Sequence, residues 1–557
     1  MAKKEIFKSA LFVGYEIVFG EKYAGDRLDL LKNIPQRFVL YELAGLNLRL
    51  RPPLEKQFKT SFLDQLEQLK YFCKSDQKMM LPYYAALRKV NVQLQRKQGG
   101  APIMFSRPAN VFALQEIFDR LPEVETPKFE WGMTDWENLL KYYLCVNDVI
   151  SAYDKQEEDL SHRPFEKLAA GSGFLNEMTV INDPIYTVKR FIHLIKYLEQ
   201  DDLLSPSVSK HFSDIGLSPS DFARHIFSMC YFHKGDKEDH KFYYRLDRND
   251  PEQKESVKAL EYFSKRRLGK KMHELDVIEI KKSPVFKDIS NYYVILDTIF
   301  IIDKLYELFI NDFWFDTVKP NGVDIKQYRG RIGLFFESYA AQVLKRTFTF
   351  IKYPALKCLD ELKVKIKGNL VEIADLYFRQ CRKVCVGQIK STGIYAKQQY
   401  GTAQSLFDIK EDDFYGVFGL YQLIDSIRYI RDEVEKFDEK FPKGKPVQVF
   451  PVLIVNEKIF QTPFMPVMFS LKFSEEIGKE AFGELEIKPL TIIHIADFER
   501  IVLHVSSKKV DWWDLLKQNY KNSLFPKPFN ITLNRNKLNP DYEAAKDALL
   551  EFGILKK

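Results

Sequence analysis

The sequence predicts a multidomain chain in which a mostly α-helical N-terminal region precedes an α/β C-terminal domain built on a central mixed sheet. Two patterns predict it. Before about residue 320, apolar residues recur at helical spacing with little strand-like alternation, whereas beyond residue 325 helix-period and strand-period segments alternate. The charge distribution divides the chain at the same place. From Lys326 onward there are 37 Lys or Arg against 29 Asp or Glu, a balance of +8; the whole chain carries +7, so the residues before Lys326 sum to −1. A basic domain beside a near-neutral one suits a phosphate-binding module joined to a recognition, regulatory or docking module.

Composition excludes several classes. With 557 residues, 45% hydrophobic and 29% charged, the chain is neither wholly disordered, collagenous nor membrane-embedded. Its six cysteines have no framework spacing, which fits a reducing, cytoplasmic setting, and no signal peptide is read at the N-terminus. The apolar stretch from Tyr292 to Ile310 is interrupted by Asp297, Asp303 and Lys304, and reads as a buried helix, not a membrane span. There is no phosphate-binding Gly-x-x-x-x-Gly-Lys-(Ser/Thr), and no His in a nucleophile setting.

Taken in order, Phe62, Leu66, Leu69 and Phe72 mark one helix, and Val188, Phe191, Ile192, Ile195 and Leu198 another. Breaks are expected at Gln98 to Pro102, Ser205 to Pro219 and Lys234 to Glu255. The resulting division is a helical region over 1–233, a helical connector over 256–325 and the α/β domain over 326–557. In that domain Ile332, Phe335, Phe336, Tyr339, Ala340, Val343 and Leu344 make Gly330 to Phe348 an amphipathic helix. Leu362 to Lys367 and Leu370 to Phe378 read as strands around a Gly368-Asn369 turn, followed by a third strand, Val384 to Lys390. A long helix from about Phe414 to Lys440, strands at Val447 to Asn456 and Leu490 to Ala496, and a late helix packed by Trp512 and Trp513 complete the domain.

Strand alternation places the chemistry. Val371, Ile373, Asp375 and Tyr377 share one face of the second strand, with Asp375 the polar exception; Gln388 and Lys390 project together from the third, opposite Cys385, Gly387 and Ile389. Adjacent pairing brings Asp375 beside Gln388 and Lys390. A carboxylate, an amide oxygen and an ammonium make a seat for a hard cation and a phosphate.

These segments, Val-Glu-Ile-Ala-Asp-Leu-Tyr-Phe (371–378), Val-Cys-Val-Gly-Gln-Ile-Lys-Ser-Thr (384–392) and Gly-Leu-Phe-Phe-Glu (333–337), resemble the PD-(D/E)XK nuclease superfamily. Gln388 stands at the usually acidic position, which gives the Gln-x-Lys form of Mrr-like restriction endonucleases. The resemblance implies a restriction-endonuclease-like domain and a Mg²⁺- or Mn²⁺-dependent DNA endonuclease, an effector of bacterial restriction or anti-phage defence. It implies metal ligation by Asp375, Glu337, the Gln388 oxygen and the Ile389 carbonyl, with Lys390 orienting water and offsetting charge. Lys397, Gln398, Tyr400, Gln422 and Arg331 are the candidates for nucleic-acid contact. The N-terminal region would then dock a protein partner such as a separate NTPase or sensor, and a homo-oligomer fits as well; no membrane is involved. Two alternatives stand beside this reading: a catalytically silent nucleic-acid-binding or scaffolding subunit, and an RNase using the same site.

Overall fold

The computed structural model describes residues 9–52, 55, 57–96, 100–123, 128–153, 173, 175–231, 242–265, 276–348, 356–366, 368–393, 411–521 and 526–555. Its N-terminal part is helical, as the periodicity predicts: α1 (Gln36–Leu50), α2 (Phe62–Phe72), α3 (Gln77–Arg96), α4 (Arg107–Arg120), α5 (Met133–Tyr153), α6 (Pro184–Gln200), α7 (Ser205–Ile215), α8 (Pro219–Tyr231), α9 (Lys254–Ser264), α10 (Thr298–Asp303) and α11 (Glu307–Phe313). Local chemistry sets the starts. Ser61 and Asp64 form a reciprocal capping box ahead of α2, and the Asp183 carboxylate accepts from the Ile185 and Tyr186 amides at 3.0 and 3.2 Å ahead of α6.

Three expectations for the N-terminal part are corrected by the structure. The break expected at Gln98 to Pro102 includes the first residues of strand β2 (Gly100–Ile103), which pairs in parallel with β1 (Ser9–Phe12). The expected break at Ser205 to Pro219 is mostly helix α7: Pro206 sits in its first turn, where no amide hydrogen is needed, and the helix ends at Gly216 with φ +75°. The stretch from Tyr292 opens with strand β5 (Tyr292–Ile295), which lies between β3 (Tyr243–Arg245) and β4 (Val285–Lys287), and only then becomes helical. Asp297 makes that switch by capping α10 through the Ile299 and Phe300 amides, and Arg107 neutralises its buried carboxylate at 2.8 Å. Among the described residues no helix is long and apolar enough to cross a membrane.

The C-terminal part is a mixed sheet with helices on both faces. It starts with α12 (Ile325–Phe348), whose predicted apolar stripe is buried throughout. The central sheet runs in the order β12 (Leu485–Ile487), β11 (Val447–Val455), β10 (Lys383–Lys390), β9 (Leu376–Gln380), β6 (Leu356–Cys358), with β13 (Thr491–His494) also on β11. β10 pairs in parallel with β11 and antiparallel with β9. One face carries Tyr377, Val384, Val386 and Leu453 against α13 (Glu411–Val417), α14 (Leu420–Glu433) and α15 (Met465–Ile477). The other carries Phe378, Cys385, Ile389 and Ile454 against α12, α16 (Ile495–Ser506) and α17 (Trp512–Tyr520), where Trp512 and Trp513 are buried as expected. The expected long helix from Phe414 to Lys440 is instead divided at Gly419, whose φ is +81°.

The hydrophobic core does not divide at residue 325. One cluster gathers α1 to α5 with Val277, Phe286 and Phe300. A second is continuous from Phe191, Phe222 and Phe309 through Phe336 to Ile493 and Trp513, so α6 to α11 pack on the same layer as the sheet. Buried charges cross this seam: Lys458 Nζ lies 2.7 Å from Asp303 and 2.9 Å from Glu307, and Arg190 pairs with Glu499 at 3.3 Å.

Candidate functional site

The expected second strand is broken at the residue that matters most. Lys363–Ile366 (β7) and Asn369–Glu372 (β8) form a separate two-stranded hairpin around Gly368, whose φ of +87° suits its turn. Ile373, Ala374 and Asp375 then run consecutively buried through the interior before the chain joins the central sheet as β9. Three backbone bonds hold this passage: Ile373 N–H to Leu362 O at 3.0 Å, Leu359 N–H to Asp375 O at 3.0 Å, and Asp375 N–H to Gly387 O at 3.1 Å. Regular alternation ends where the strand does, so Ile373 and Ala374 are both buried in one cluster; Val371, Ile373 and Tyr377 still pack on the cluster under α14, the side on which Asp375 meets Lys390.

The break places Asp375 against β10. Its side chain is 6% exposed, Oδ2 accepts the Ile389 N–H at 2.7 Å, and the Lys390 ammonium stands 3.7 Å from the same oxygen. Ile389 thus meets the acid through its amide hydrogen. Burial pushes the Asp375 carboxyl above its ordinary range, against the opposing pull of Lys390 and the Ile389 amide. Glu337 arrives from α12, where Gly333 brings the helix close to the end of β10: a methyl group there would lie 3.7 Å from Ser391 Oγ. Burial first, and the Asp375 charge second, push the half-buried Glu337 carboxyl up to about 7. Glu372 is raised by the same two causes.

Gln388 and Lys390 do share a face, as alternation predicts, and α14 packs on it. The Gln388 amide Nε2 donates to Ser426 Oγ at 3.1 Å, and the Ser426 hydroxyl donates to the Gln422 carbonyl at 2.8 Å. With its proton committed, Ser426 accepts from Gln388, which leaves Oε1 as the remaining acceptor of the amide. Lys390 is held by the entry to α14. A β-carbon on Gly419 would lie 2.8 Å from Lys390 Cε and 3.1 Å from Cγ, so a side chain here would displace the end of Lys390, and the φ of +81° favours glycine in its own right.

The nucleic-acid candidates divide. The Gln422 side chain is exposed on α14, and Arg331 Nε pairs with Asp201 at 3.2 Å, linking α12 to the loop after α6. Lys397, Gln398 and Tyr400 lie outside the described residues. Glu372, Gly419 and Ser426 were not legible as site residues. Gly416 and Gly419 within a helical pattern were a signal for a break, whereas nothing in the sequence marks Ser426, and alternation assigns Glu372 to the face opposite Asp375.

The donor set is all oxygen, from Asp375, Glu337 and the Gln388 amide, and its carboxylates carry raised proton affinities that a cation would relieve. These donors fit Mg²⁺ or Mn²⁺ in type; among the described residues, no group of three or more His, Cys, Asp or Glu is gathered to hold a metal. No family model matches the chain, and no curated protein or solved structure matches it either.

Proposed function

We propose that the chain is a metal-dependent DNA endonuclease with a restriction-endonuclease-like C-terminal domain, acting in restriction or anti-phage defence. The observation that carries this reading is the meeting at 3.7 Å of Asp375, just ahead of β9, with Lys390 at the end of β10, with Glu337 brought in from α12. An acid, an ammonium and a second acid at one sheet end suit phosphodiester hydrolysis. Asp375, Glu337 and the Gln388 oxygen would hold Mg²⁺ or Mn²⁺. When bound, such a cation polarises a phosphate and acidifies a coordinated water. Lys390 offsets the negative charge that builds on the phosphorus and its oxygens, and Gly419 and Ser426 keep Lys390 and Gln388 in place.

A second reading, a silent nucleic-acid-binding subunit, is favoured by the absence of a third ligating carboxylate gathered among the described residues. The deciding experiment assays wild type and Asp375→Asn on plasmid, linear and single-stranded DNA and on RNA, with Mg²⁺, with Mn²⁺ and with EDTA. Metal-dependent cutting of DNA by wild type alone is the expected result. Cutting that survives EDTA or the substitution overturns the site, RNA-only cutting replaces the substrate, and binding without cutting favours the silent subunit.

A further inference from the structure

The β7–β8 hairpin has one covered face and one bare face. Val364, Ile366 and Val371 pack inward on the cluster under α14, an anchor that a two-stranded hairpin needs. The outward face carries Lys363, Lys365, Leu370 and Glu372. Register sets Lys363 opposite Glu372 and Lys365 opposite Leu370. The hairpin's base is tied to the residues around Asp375 by the Ile373 to Leu362 and Leu359 to Asp375 backbone bonds, and Lys363 is within electrostatic range of both Glu337 and Asp375. Moving outward from the acids, the face therefore presents Lys363 and then Lys365 with Leu370 beside it.

Leu370 is 65% exposed, one of the most exposed large apolar side chains described. Lys365 makes no ion pair among the described residues, while Lys363 pairs at 2.6 Å with Asp360, itself 88% exposed, and also feels the Glu372 charge across the hairpin. The two lysines are two strand residues apart, about 6.6 Å, so that they can meet different phosphates of one backbone. A cation pair at that spacing with an apolar side chain alongside complements a sugar-phosphate backbone and the face of a base. A base face is open to Leu370 only where the base is unstacked, which favours a single strand over a duplex.

We propose that the outward face of this hairpin is the track for single-stranded nucleic acid entering the acid site, with Lys363 and Lys365 on backbone phosphates and Leu370 against a base. This rests on the phosphodiester reading above and names the form of substrate it takes. Lysines on an uncovered strand edge also block strand addition, a role that would leave the salt dependence of nucleic-acid binding unchanged.

The test measures binding of the full chain, in EDTA, to a fluorescein-labelled 20-nucleotide oligothymidine and to a duplex of the same length over a salt series. Wild type is expected to prefer the single strand. The Lys363→Gln/Lys365→Gln double variant should lower the slope of log K against log salt by about 1.4, at ~0.7 per lost phosphate contact. Leu370→Ser should weaken single-strand binding by roughly three- to tenfold, the loss of one partly buried apolar contact, at an unchanged slope. Since these side chains are exposed, melting curves of the variants should match wild type. An unchanged slope in the double variant, a preference for duplex, or no binding to either oligonucleotide overturns the proposal. Binding that behaves as expected in a protein that cuts nothing leaves the track standing and removes only the nuclease reading.

Discussion

The Ile389 amide donates to the Asp375 carboxylate at 2.7 Å, so the acid is held by the neighbouring strand that also carries Lys390. An asparagine at 375 can accept the same bond through its amide oxygen; an alanine cannot. Asp375→Asn should therefore leave stability near wild type, while Asp375→Ala should lose about 1–3 kcal/mol by stranding a buried N–H. Lys390→Ala should keep the fold. All three should fail to cut, as urea unfolding and a plasmid assay would show; cutting by any of them removes the site assignment.

Glu337 should make stability fall as pH rises through its window. Its folded-state carboxyl titrates near about 7 against an ordinary 4.5, so between these values the folded chain holds a proton that the unfolded chain has released. That contribution is complete below about pH 4.5 and lost above about pH 7. Relative to Glu337→Gln, wild type should lose melting temperature across this interval and then run parallel. Added Mg²⁺ should shift the interval downward. Parallel curves throughout would show that Glu337 does not sit against the other acids.

Gly419→Ala should damage activity more than stability. The left-handed φ costs about 1–2 kcal/mol, whereas the new methyl meets Lys390 at 2.8 Å and must displace it. Cleavage should fall by up to ~100-fold with the substrate affinity little changed. Full activity in this variant would mean that the Lys390 position is not critical.

Gln388→Glu should retain activity, since Oε1 is the atom left available once Nε2 is committed to Ser426. A glutamate keeps an oxygen there, and the Ser426 hydroxyl can turn from the Gln422 carbonyl to donate to it. Loss of cutting in a folded Gln388→Glu protein would assign the function to the amide N–H.

Lys458→Met should destabilise the whole chain. It leaves the buried Asp303 and Glu307 carboxylates without their cation, at a cost of about 3–5 kcal/mol. Because the core runs unbroken across this seam, calorimetry should show α6 to α11 and the sheet melting together at the lower temperature. A change confined to one of two separate transitions would show the two parts to be energetically independent.

Much of the architecture was legible because periodicity reports what each side faces. The stripe from Ile332 to Leu344 identified α12, and β10 was located to within one residue at its start. The alternation of Val384, Val386, Gln388 and Lys390 against Cys385 and Ile389 matches the two clusters that cover the sheet. Pro206 and Tyr292 misled because a proline serves a helix start as well as a loop, and a short apolar run suits a buried strand as well as a helix.

By itself the sequence determined the helical and α/β halves, the faces of β10 and the residue types available for phosphate chemistry. Only the tertiary structure decided that the second strand stops before Asp375, that Glu372 comes within range of the Asp375 charge, that Gly419 bounds Lys390 and that Lys458 ties the sheet to α11. The reason is one of range. A side chain's preference for core or water repeats along its own segment, but the Asp375 to Ile389 bond and the Lys458 to Asp303 pair depend on where separate segments end and how they pack.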